Sequence, residues 1–435
     1  MAIYGIDLGT TNSLLGVGDK LLTGLVPSIV NLQKKTAGEK NREDAESVRS
    51  FKVDMSMGTE GLMPIKASSE VLLELKREAG LKGKIKSVIT VPADFDDNQR
   101  KATLKAAELA GIEVVALVNE PTAAALYITN KSKEVAVVFD LGGGTFDVSV
   151  IDSRFGNYDV QHSAGDPRCG GDDLDRAIML HLCKEAKLQL FRLNKQQKLD
   201  LLLLASRVKI QMQKEQHDLD VNLNAYGAGV VKFTEAAYIQ LMKVTFMKCM
   251  VLLHRVMSSS IQIGEKYNMV LVGGSTRCPY LREWIAQEIG QEPVPLTYDP
   301  DKAVALGAAL YASMVEDGSV DYMVSDVTKR LSIGLADGTV QEVIPSNSKV
   351  PIEEDIMMCN PVEASELKLN LYQGDSGLAS GNSYIGELSY DYGRMVAPRK
   401  GVVFITVGVE KSGTVTLSCK EIGKNPVSIQ LSLHA

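Results

Sequence analysis

Residues 134–152 read EVAVVFDLGGGTFDVSVID, and this stretch decides the fold. An apolar run ends at Asp140, three glycines and Thr145 follow, and a second, alternating run carries Asp147. Two β-branched runs around a glycine cluster predict a β-hairpin. Glycines let the backbone approach a ligand closely, with its N–H groups turned outward as a nest for an anion. The stretch therefore favours a hairpin that holds a phosphate, with a metal ion beside Asp140, or else a tight hairpin with a solvated aspartate.

A similar pattern occurs at the start of the chain. Residues 4–17 read YGIDLGTTNSLLGV, in which an apolar strand again ends in Asp-Leu-Gly and hydroxyl residues follow. Internal repetition indicates duplicated structural units. Residues 268–277, NMVLVGGSTR, add a third corner, where a strand, a glycine pair and the start of a helix would face phosphate or adenosine. The three stretches together predict two duplicated lobes that face each other across one nucleotide.

Composition narrows the class of protein. The length of 435 residues predicts roughly three domain-sized units, and 45% hydrophobic with 23% charged residues is typical of soluble globular proteins. A net charge of −7 without a basic block argues against nucleic acid as a partner. The first residues lack a secretory signal, and the apolar runs are too short to span a membrane. Six scattered cysteines and five scattered histidines predict reduced thiols rather than a zinc site, and a cytoplasmic protein.

Five motifs, in this order, resemble the DnaK family of seventy-kilodalton heat-shock chaperones. Each motif is weak alone, but the ordered set is specific. The resemblance implies an α/β actin-like (ribonuclease H-like) ATPase domain with two lobes, followed by an all-β sandwich that grips extended peptides. The motifs are the first hairpin, TVPADFDDNQRKAT at 90–103, NEPTAAAL at 119–126, the second hairpin, and VLVGGSTR at 270–277 followed by DPDKAVALGAAL at 299–310.

The resemblance also sets the expected domain boundaries. An actin-like nucleotide-binding domain is expected over residues 1–319, with lobe II beginning at about residue 134 and a helical outer subdomain at about 173–262. Residues 320–327, VDYMVSDV, stand at the position of the interdomain linker. The alternating residues of 328–435 predict the β-sandwich.

Two segments of the family pattern are missing from this sequence. Between Lys52 and Ser68 the chain is much shorter than the pattern, so most of an outer subdomain of lobe I is expected to be absent. Exchange factors use that subdomain, which makes a conventional exchange factor a doubtful partner. No helical lid follows the sandwich before Ala435, either because the sequence is truncated or because the protein lacks one. Peptide release is therefore expected to be fast.

The resemblance assigns catalytic roles around the two hairpins. Three acids would hold Mg²⁺, mostly through water, and Lys52 with Asp147 would position the attacking water. From the residues alone, Lys52 is either a surface lysine or a cation at the γ-phosphate, and Glu120 is either a helix cap or a ligand of metal-bound water. The expected cofactors are ATP or ADP with Mg²⁺, and K⁺ is a second candidate cation. The expected catalytic residues are Asp7, Lys52, Glu120, Asp140, Thr145 and Asp147, of which Asp7, Glu120 and Asp140 are the metal site.

Further nucleotide contacts are expected from the glycine turns and from a helix of lobe II. Ser206 replaces an acid of the family, and Ile210 replaces a basic residue, so the adenosine contact is expected to be weaker or differently arranged. Val53 likewise replaces the arginine that usually follows Lys52. The expected nucleotide-binding residues are Gly9, Thr10, Thr11, Gly142, Gly143, Gly144, Gly170, Gly171, Ser206, Lys209, Gly273, Gly274, Ser275, Arg277 and Asp301.

A relay between the domains is also implied. Pro92, Arg100 and the linker residue Asp326 are expected to report the nucleotide state to the sandwich. A basic residue usually lies a few positions before Asn119 and receives a J-domain co-chaperone, but residues 115–117 are Val-Ala-Leu here. Stimulation by a J-domain co-chaperone is therefore left open.

The expected peptide pocket lies in the sandwich. Leu335, Met357, Leu367 and Leu369 would line it, and Asn360 stands where a small apolar residue usually arches over the peptide. The arch would then be more polar, or open. The alternative for all five residues is an ordinary role in the sandwich core.

The sequence leaves three classes of function. An ATP-dependent chaperone for unfolded or extended apolar peptides accounts for the intact phosphate motifs and the sandwich. Its ATP hydrolysis is expected to be slow, because the nucleotide would act as a switch rather than as the substrate of a metabolic enzyme. A degenerate relative that binds nucleotide and a dedicated partner but hydrolyses little accounts for the shortened lobe and for Ser206. An actin-like filament ATPase has no use for the sandwich, and a sugar kinase of the same fold needs a small-molecule pocket that the motifs do not supply.

Overall fold

Two α/β lobes and one β-sandwich make up the computed structural model. It describes residues 2–55, 62–93, 95, 97–129, 134–154, 158–262, 264–318, 330–346, 348, 351–410 and 414–432. The expected linker at 320–327, with the predicted relay residue Asp326, lies outside the described residues.

Lobe I is built on a mixed sheet. The sheet order is β3-β2-β1-β7-β8, in which β1 and β2 form an antiparallel hairpin and β7 and β8 run parallel to β1. Apolar faces of α1 and α2 pack against this sheet to form the core of the lobe. The elements are β1 (Ile3–Asp7), β2 (Asn12–Val17), β3 (Lys20–Leu21), β4 (Val26–Pro27), β5 (Val30–Asn31), β6 (Thr36–Ala37), α1 (Leu62–Glu78), β7 (Ile85–Val91), α2 (Asp97–Leu109), β8 (Ile112–Asn119) and α3 (Glu120–Ile128).

Lobe II repeats the central part of this arrangement. Its sheet has the order β11-β10-β9-β14, where β9 and β10 form the antiparallel hairpin and β14 runs parallel to β9 as β7 does to β1. The two similar motifs of the sequence thus occupy equivalent places in two similar sheets. The elements are β9 (Val135–Leu141), β10 (Phe146–Asp152), β11 (Asp159–Asp166), α4 (Gly171–Glu185), α5 (Lys195–Glu215), β12 (Leu219–Asn222), β13 (Val230–Phe233), α6 (Glu235–Ser260), β14 (Asn268–Val272), α7 (Pro279–Ile289) and α8 (Ala303–Glu316).

Helices α3 and α8 join the two lobes. They pack on each other between the sheets, and one hydrophobic cluster contains side chains from both helices and both sheets. The crossing needs small residues: a Cβ added at Gly307 would lie 1.8 Å from the carbonyl oxygen of Ala123, and one at Gly5 would lie 2.1 Å from the backbone nitrogen of Ala309. The alanine- and glycine-rich sequence of these helices follows from this close approach.

Helix α6 is the longest helix of lobe II. Among the described residues it is the one helix long and apolar enough to cross a membrane. Its Tyr238, Phe246, Cys249 and Leu253 side chains, however, are buried in the core of lobe II against the other helices and the sheet. Packing inside the lobe accounts for these four side chains, whereas Val244, Met247 and Val251 of the same helix are exposed.

The outer part of lobe I is small. Between β4 and α1 the described residues form the short hairpin of β5 and β6 and two 3₁₀ turns, Glu39–Asn41 and Phe51–Asp54. Ser50, directly before the second turn, has the left-handed backbone conformation φ 51°, ψ 26°. This segment forms the lobe I side of the cleft between the lobes.

The C-terminal residues form a sandwich of two four-stranded antiparallel sheets. The strand orders are β16-β15-β18-β19 and β17-β20-β21-β22. Alternate residues of the facing strands, such as Leu369 and Leu371 on one sheet and Ile405 and Val407 on the other, make the core, as the period-two pattern predicts. The strands are β15 (Leu331–Gly334), β16 (Val340–Ile344), β17 (Ile352–Cys359), β18 (Ala364–Gln373), β19 (Ser383–Val396), β20 (Val402–Val409), β21 (Thr414–Lys420) and β22 (Val427–Ser432).

The five residues of the expected peptide pocket occupy different environments. Leu367 and Leu369 are buried in the sandwich core, Leu335 is half-buried in the turn after β15, and Met357 is 66% exposed on β17. Asn360 is fully buried. Their contact with a peptide remains a prediction, and the core packing of the two leucines matches the alternative role.

Asn360 connects two loops of the sandwich through hydrogen bonds. Its amide nitrogen donates to the carbonyl oxygens of Val362 at 2.8 Å, Val396 at 3.0 Å and Ala397 at 3.0 Å, and its amide oxygen accepts from the backbone N–H of Gly401 at 2.8 Å. The polar residue is thus used inside the protein.

Asn360→Leu should therefore destabilise the sandwich by about 2–4 kcal/mol, because it leaves several buried backbone groups without partners. Hydrogen exchange of the full chain, followed by mass spectrometry, should show faster exchange at 360–363 and 396–401. Asn370→Leu, at a half-buried position on β18, serves as the control and should leave those two loops protected. Unchanged exchange in the Asn360 variant would show that the loops do not depend on this side chain.

Candidate active site

The turns of the two hairpins face each other across a cleft between the lobes. A Cβ added at Gly143 would lie 2.2 Å from the hydroxyl oxygen of Thr11, and one at Gly144 would lie 3.0 Å from the methyl carbon of Thr10. The cleft encloses a cavity of about 730 Å³. Of the predicted nucleotide-binding residues, those on the cavity wall are Gly9, Thr10, Thr11, Gly142, Gly143, Gly171, Ser206, Lys209, Gly273, Gly274, Ser275, Arg277 and Asp301.

Carboxylates crowd the inner end of the cleft. Asp7 ends β1 and accepts a hydrogen bond from the Thr90 hydroxyl of the parallel strand β7 at 2.9 Å. Burial first, and then the nearby Glu120 carboxylate, raise the pKa of Asp7 to about 7. Burial and the Glu120 and Asp7 carboxylates also raise the pKa of Asp140 well above its usual range. Such a group of desolvated acids would be stabilised by a cation.

Lys52 and Glu120 form a buried ion pair. The ammonium nitrogen of Lys52 lies 2.6 Å from Glu120 Oε1 and 5.6 Å from the centre of the Phe95 ring. The Lys52 side chain is only 3% exposed and does not lie on the cavity wall, whereas Glu120 does. The sequence predicted both residues for the site, but it did not predict that they bind each other.

Asp147 lies beside the cavity rather than on its wall. It is paired with Asp140 in the register of the β9–β10 hairpin. A Cβ added at Gly165, on β11, would lie 2.5 Å from Asp147 Oδ1. Its predicted role in positioning water remains a prediction.

The start of α4 is bound to the second hairpin turn through the backbone. The N–H of Gly171 donates to the carbonyl oxygen of Gly142 at 3.0 Å, and the N–H of Asp172 donates to that of Gly143 at 2.7 Å. A Cβ at Gly170 would lie 2.3 Å from the Gly143 carbonyl oxygen, so this approach requires glycine. The stretch GDPRCGGDDLD at 165–175 thereby places the N-terminus of α4 beside the turn, where it favours anionic ligands.

The third corner closes the opposite side of the same turn. The Ser275 hydroxyl donates to the Gly142 carbonyl oxygen at 2.8 Å. A Cβ added at Gly274 would lie 2.5 Å from Asp301 Oδ1, and Arg277 donates to Asp301 at 2.9 Å. The segments that the sequence predicted separately therefore meet at one site.

Asp175 is a site residue that the sequence reasoning missed. Lys209 donates to the carbonyl oxygen of Gly171 at 3.0 Å and forms an ion pair of 2.9 Å with Asp175, which also accepts a hydrogen bond from Ser206. The buried carboxylate thus fixes both predicted adenosine contacts. In the sequence, Asp175 is the last residue of the stretch at 165–175, which resembles a motif of the family but had suggested roles for Gly170 and Gly171 alone.

The donor set is compatible with a magnesium ion held through water. Within the described ranges, no three His, Cys, Asp or Glu side chains lie close enough together to ligate one ion directly. The buried hydroxyl oxygen of Thr11 has no hydrogen-bond partner among the residues that the structure describes, and it faces the hairpin turn of lobe II. Hard carboxylate oxygens around such a space suit hydrated Mg²⁺.

The predicted relay residues lie next to this site. The backbone N–H of Phe95 donates to the carbonyl oxygen of Pro92 at 3.2 Å, and the Arg100 guanidinium donates to the carbonyl oxygen of Phe95 at 3.2 Å. Arg100 also donates to the Asn119 side chain at 2.9 Å, directly before Glu120. A continuous set of contacts therefore connects Pro92 and Arg100 with the acid that binds Lys52.

Polar contacts cross the mouth of the cleft. Lys195 of α5 forms an ion pair of 2.8 Å with Glu46 of lobe I, and Gln196 donates to the carbonyl oxygen of Glu43 at 3.0 Å. The ion pair is exposed on both sides. These contacts join the outer parts of the two lobes over the cavity.

Removing them with Lys195→Ala and Gln196→Ala should speed nucleotide release by about 2–10-fold, because exposed pairs contribute up to about 1 kcal/mol. Stopped-flow release of fluorescent ADP measures this rate. Lys198→Ala, an exposed lysine on the same helix, is the matched control and should leave the rate unchanged. Equal release rates in all three proteins would mean that the contacts do not restrain opening.

A comparison with models of protein families shows which family the chain belongs to. The family model described as "Hsp70 protein" matches residues 30–432. The chain belongs to the Hsp70 family. The resemblance seen in the motifs is thereby confirmed, and with it an actin-like α/β domain followed by a β-sandwich.

A curated Hsp70 relative gives the degree of similarity. The chain is 34% identical over 381 residues to the chaperone protein DnaK of Prochlorococcus marinus (strain MIT 9515). The alignment covers 83% of this chain and 59% of that protein, so the chain spans about three fifths of the length of this relative. Hsp70 proteins as a family are ATP-binding chaperones, and they bind ATP or ADP with Mg²⁺.

Proposed function

We propose that this Hsp70 protein is an ATP-dependent chaperone. It would bind extended apolar peptide segments in its β-sandwich, under the control of ATP binding and slow hydrolysis between its lobes. The observation that carries the proposal is the meeting of the two hairpin turns, Gly142–Gly144 and Thr10–Thr11, around one cavity with an unpartnered Thr11 hydroxyl. Backbone nests of this kind bind phosphate.

The turns would hold the phosphates from both sides. The N–H groups of Gly143 and Gly144 and the hydroxyls of Thr10, Thr11 and Thr145 would be the donors, since the Gly142 N–H donates to the carbonyl oxygen of Thr145. The N-terminus of α4 would add its dipole. Asp7, Asp140 and Glu120 would hold Mg²⁺ through water, and the ion would supply neutralisation of the phosphate charge. Arg277, Ser206 and Lys209 would hold the adenosine end.

Lys52 and Glu120 would act at the reacting phosphate. The ion pair keeps the ammonium group at the inner end of the cleft, next to the acids of the metal site. Phosphoryl transfer is catalysed mainly by positioning and by neutralising charge. A small rearrangement of the pair would bring the ammonium group to the phosphate oxygens and leave Glu120 to orient the water.

Coupling to the sandwich would begin at the same pair. Asn119 and Glu120 are consecutive, so a shift of Glu120 on nucleotide binding would reach Arg100 through its hydrogen bond to Asn119. Pro92 and the linker residue Asp326 are the proposed next members of this relay. The nucleotide then biases two arrangements of the domains, because it binds one of them more tightly.

The proposed partners follow from the same scheme. The clients are unfolded or extended peptides, which would lie between loops of the sandwich near Leu335 and Met357. A J-domain co-chaperone stays open, since residues 115–117 lack a basic side chain. The cytoplasm is the proposed compartment, as for a bacterial DnaK.

The test is the fluorescence anisotropy of a labelled extended apolar peptide with the full chain, first with ADP and then with added Mg-ATP. The proposal expects binding with ADP and release on addition of Mg-ATP. Nucleotide binding is measured in parallel by calorimetry.

Two other outcomes would change the conclusion. A peptide that never binds while ATP does would favour a nucleotide-switched module for a dedicated partner. A protein that binds neither ligand would refute the proposed function as a whole.

A further inference from the structure

We propose that Arg49 is a second phosphate-binding cation of this site and contacts the terminal phosphate of the bound nucleoside triphosphate. The inference rests on the proposed function, because it names a further residue of the same site. Arg49 belongs to none of the motifs of the sequence. The structure nevertheless places it on the wall of the cavity, on the segment that leads to Lys52.

The guanidinium of Arg49 is only partly satisfied by the protein. One of its nitrogens, Nη2, donates to the backbone carbonyl oxygens of Arg42 at 2.5 Å and Asn41 at 3.4 Å. In the parts of the chain that the structure covers, no carboxylate forms an ion pair with it, and Asp172 and Asp44 attract it only from a longer distance. Burial, and then repulsion by Arg42, lower the pKa of this guanidinium.

A half-buried guanidinium without a paired carboxylate is costly. An anionic oxygen at its free edge would offset this cost. The cavity wall that Arg49 shares with the hairpin turns is where such an anion is proposed to lie. The remaining N–H groups of Arg49 form a fork that matches two oxygens of one phosphate.

The backbone of Ser50 points to the same place. Ser50 is one of the few non-glycine residues in the left-handed region, a conformation that persists only where the surrounding structure holds it. Its hydroxyl donates to Asp172 Oδ2 at 3.4 Å, and its Oγ lies 3.6 Å from where a Cβ of Gly144 would stand. The segment around Ser50 therefore crosses the cleft and meets the phosphate turn of lobe II.

This geometry selects the terminal phosphate. Lys52, at the other end of the same segment, binds Glu120 beside the acids of the proposed metal site. The adenosine contacts proposed for Arg277 and Ser206 belong to lobe II. The segment from Arg49 to Lys52 thus approaches the nucleotide from lobe I, at the phosphate end. A cation at that position distinguishes ATP from ADP.

The experiment compares the binding of Mg-ATP and Mg-ADP to the full chain by calorimetry. Arg49→Gln should raise the Kd for Mg-ATP about tenfold or more and the Kd for Mg-ADP less than about twofold, as a lost charged hydrogen bond implies. Arg49→Lys keeps the charge but not the fork and should restore part of the ATP affinity. Arg77→Gln is the control, because its exposed guanidinium is paired with Glu74 and lies away from the cavity wall, and it should change neither Kd.

The outcomes separate this inference from the proposed function. Equal weakening of both nucleotides, or an unchanged affinity for Mg-ATP in Arg49→Gln, overturns the role of Arg49 while the proposed function stands. A wild-type protein that binds neither nucleotide overturns both. The melting temperature of each ligand-free variant shows whether that variant is folded. If Arg49→Gln does not fold, the ratio of the Kd values for Mg-ATP and Mg-ADP in Arg49→Lys tests the inference, because only the proposed contact predicts a change in this ratio.

Discussion

Replacement of Lys52 by alanine is expected to lower ATP turnover by about 10²–10³-fold, the usual effect of removing one preorganised electrostatic contact from a transition state. Its ammonium group is held by Glu120 at 2.6 Å and is almost completely buried, so water cannot replace it efficiently. Single-turnover hydrolysis with saturating Mg-ATP measures the chemical step directly.

The same substitution also has a cost for folding. It leaves the Glu120 carboxylate, whose side chain is 12% exposed, without its partner, and breaking a buried pair in this way costs roughly 3 kcal/mol. Combining Lys52→Ala with Glu120→Gln should recover much of the stability but none of the turnover.

A second buried lysine of lobe I provides the matched control. The ammonium group of Lys76 donates to the carbonyl oxygens of Gly83 and Ala110, each at 2.8 Å. Lys76→Met should destabilise the lobe and leave turnover per folded molecule unchanged. Equal turnover in wild type and Lys52→Ala would remove Lys52 from the site.

Replacement of Asp7 by asparagine is expected to stabilise the ligand-free protein at pH 8 and to weaken Mg-ATP binding at least about tenfold. The folded-state pKa of Asp7 is raised to about 7, so the unfolded chain releases this proton more easily than the folded chain. Stability contributed by this group is therefore present below about pH 4 and is lost as the pH rises toward 7.

Asparagine cannot ionise, and its side-chain oxygen still accepts the Thr90 hydroxyl. The variant should thus match wild type near pH 4 and exceed it by roughly 1–2 kcal/mol at pH 8, a value reduced for the solvent that reaches the cleft. The gain and the lost ligand affinity share their causes, which are the burial of the Asp7 carboxylate and its repulsion by neighbouring acids, both of which a cation would relieve.

The measurements are thermal unfolding between pH 4 and 8, and the shift of the melting temperature on adding Mg-ATP. Asp44→Asn is a control in which the expected change of stability has the opposite sign. Hydrogen bonds from Lys34 first, and then from the backbone N–H of Glu46 and the Asn31 amide, hold the pKa of Asp44 well below its usual range. That variant should lose stability at pH 8 and keep the ligand shift. A Mg-ATP shift of normal size in Asp7→Asn would contradict the proposed metal site.

The fold and most of the site could be predicted from the sequence because their signals are local. The repeated Asp-Leu-Gly hairpins needed only alternation, a strand end and a glycine turn, and they led directly to Asp7 and Asp140. The same holds for the sandwich, which period-two alternation predicted. The alternation left open whether Leu369 lines a peptide pocket or the core, and the structure places it in the core.

Tertiary structure alone decided which charged groups pair and which face the cavity. Lys52 and Glu120 are 68 positions apart, and no local pattern indicates that they meet. In the sequence, Arg49 is one of several basic residues in a polar loop. The structure alone shows that this loop crosses the cleft, through the left-handed turn at Ser50 and the hydrogen bond from Ser50 to Asp172. Asn360 reads as a surface amide, and only the packing of two loops buries it.

Sequence by itself therefore determined the duplicated lobes, the sandwich and the residue types around the cleft, because backbone periodicity and turn chemistry are properties of short segments. The structure determined the ion pair of Lys52, the place of Arg49 and the structural role of Asn360. These depend on side chains brought together from distant segments, where burial and the presence or absence of a partner set the free energy of each group.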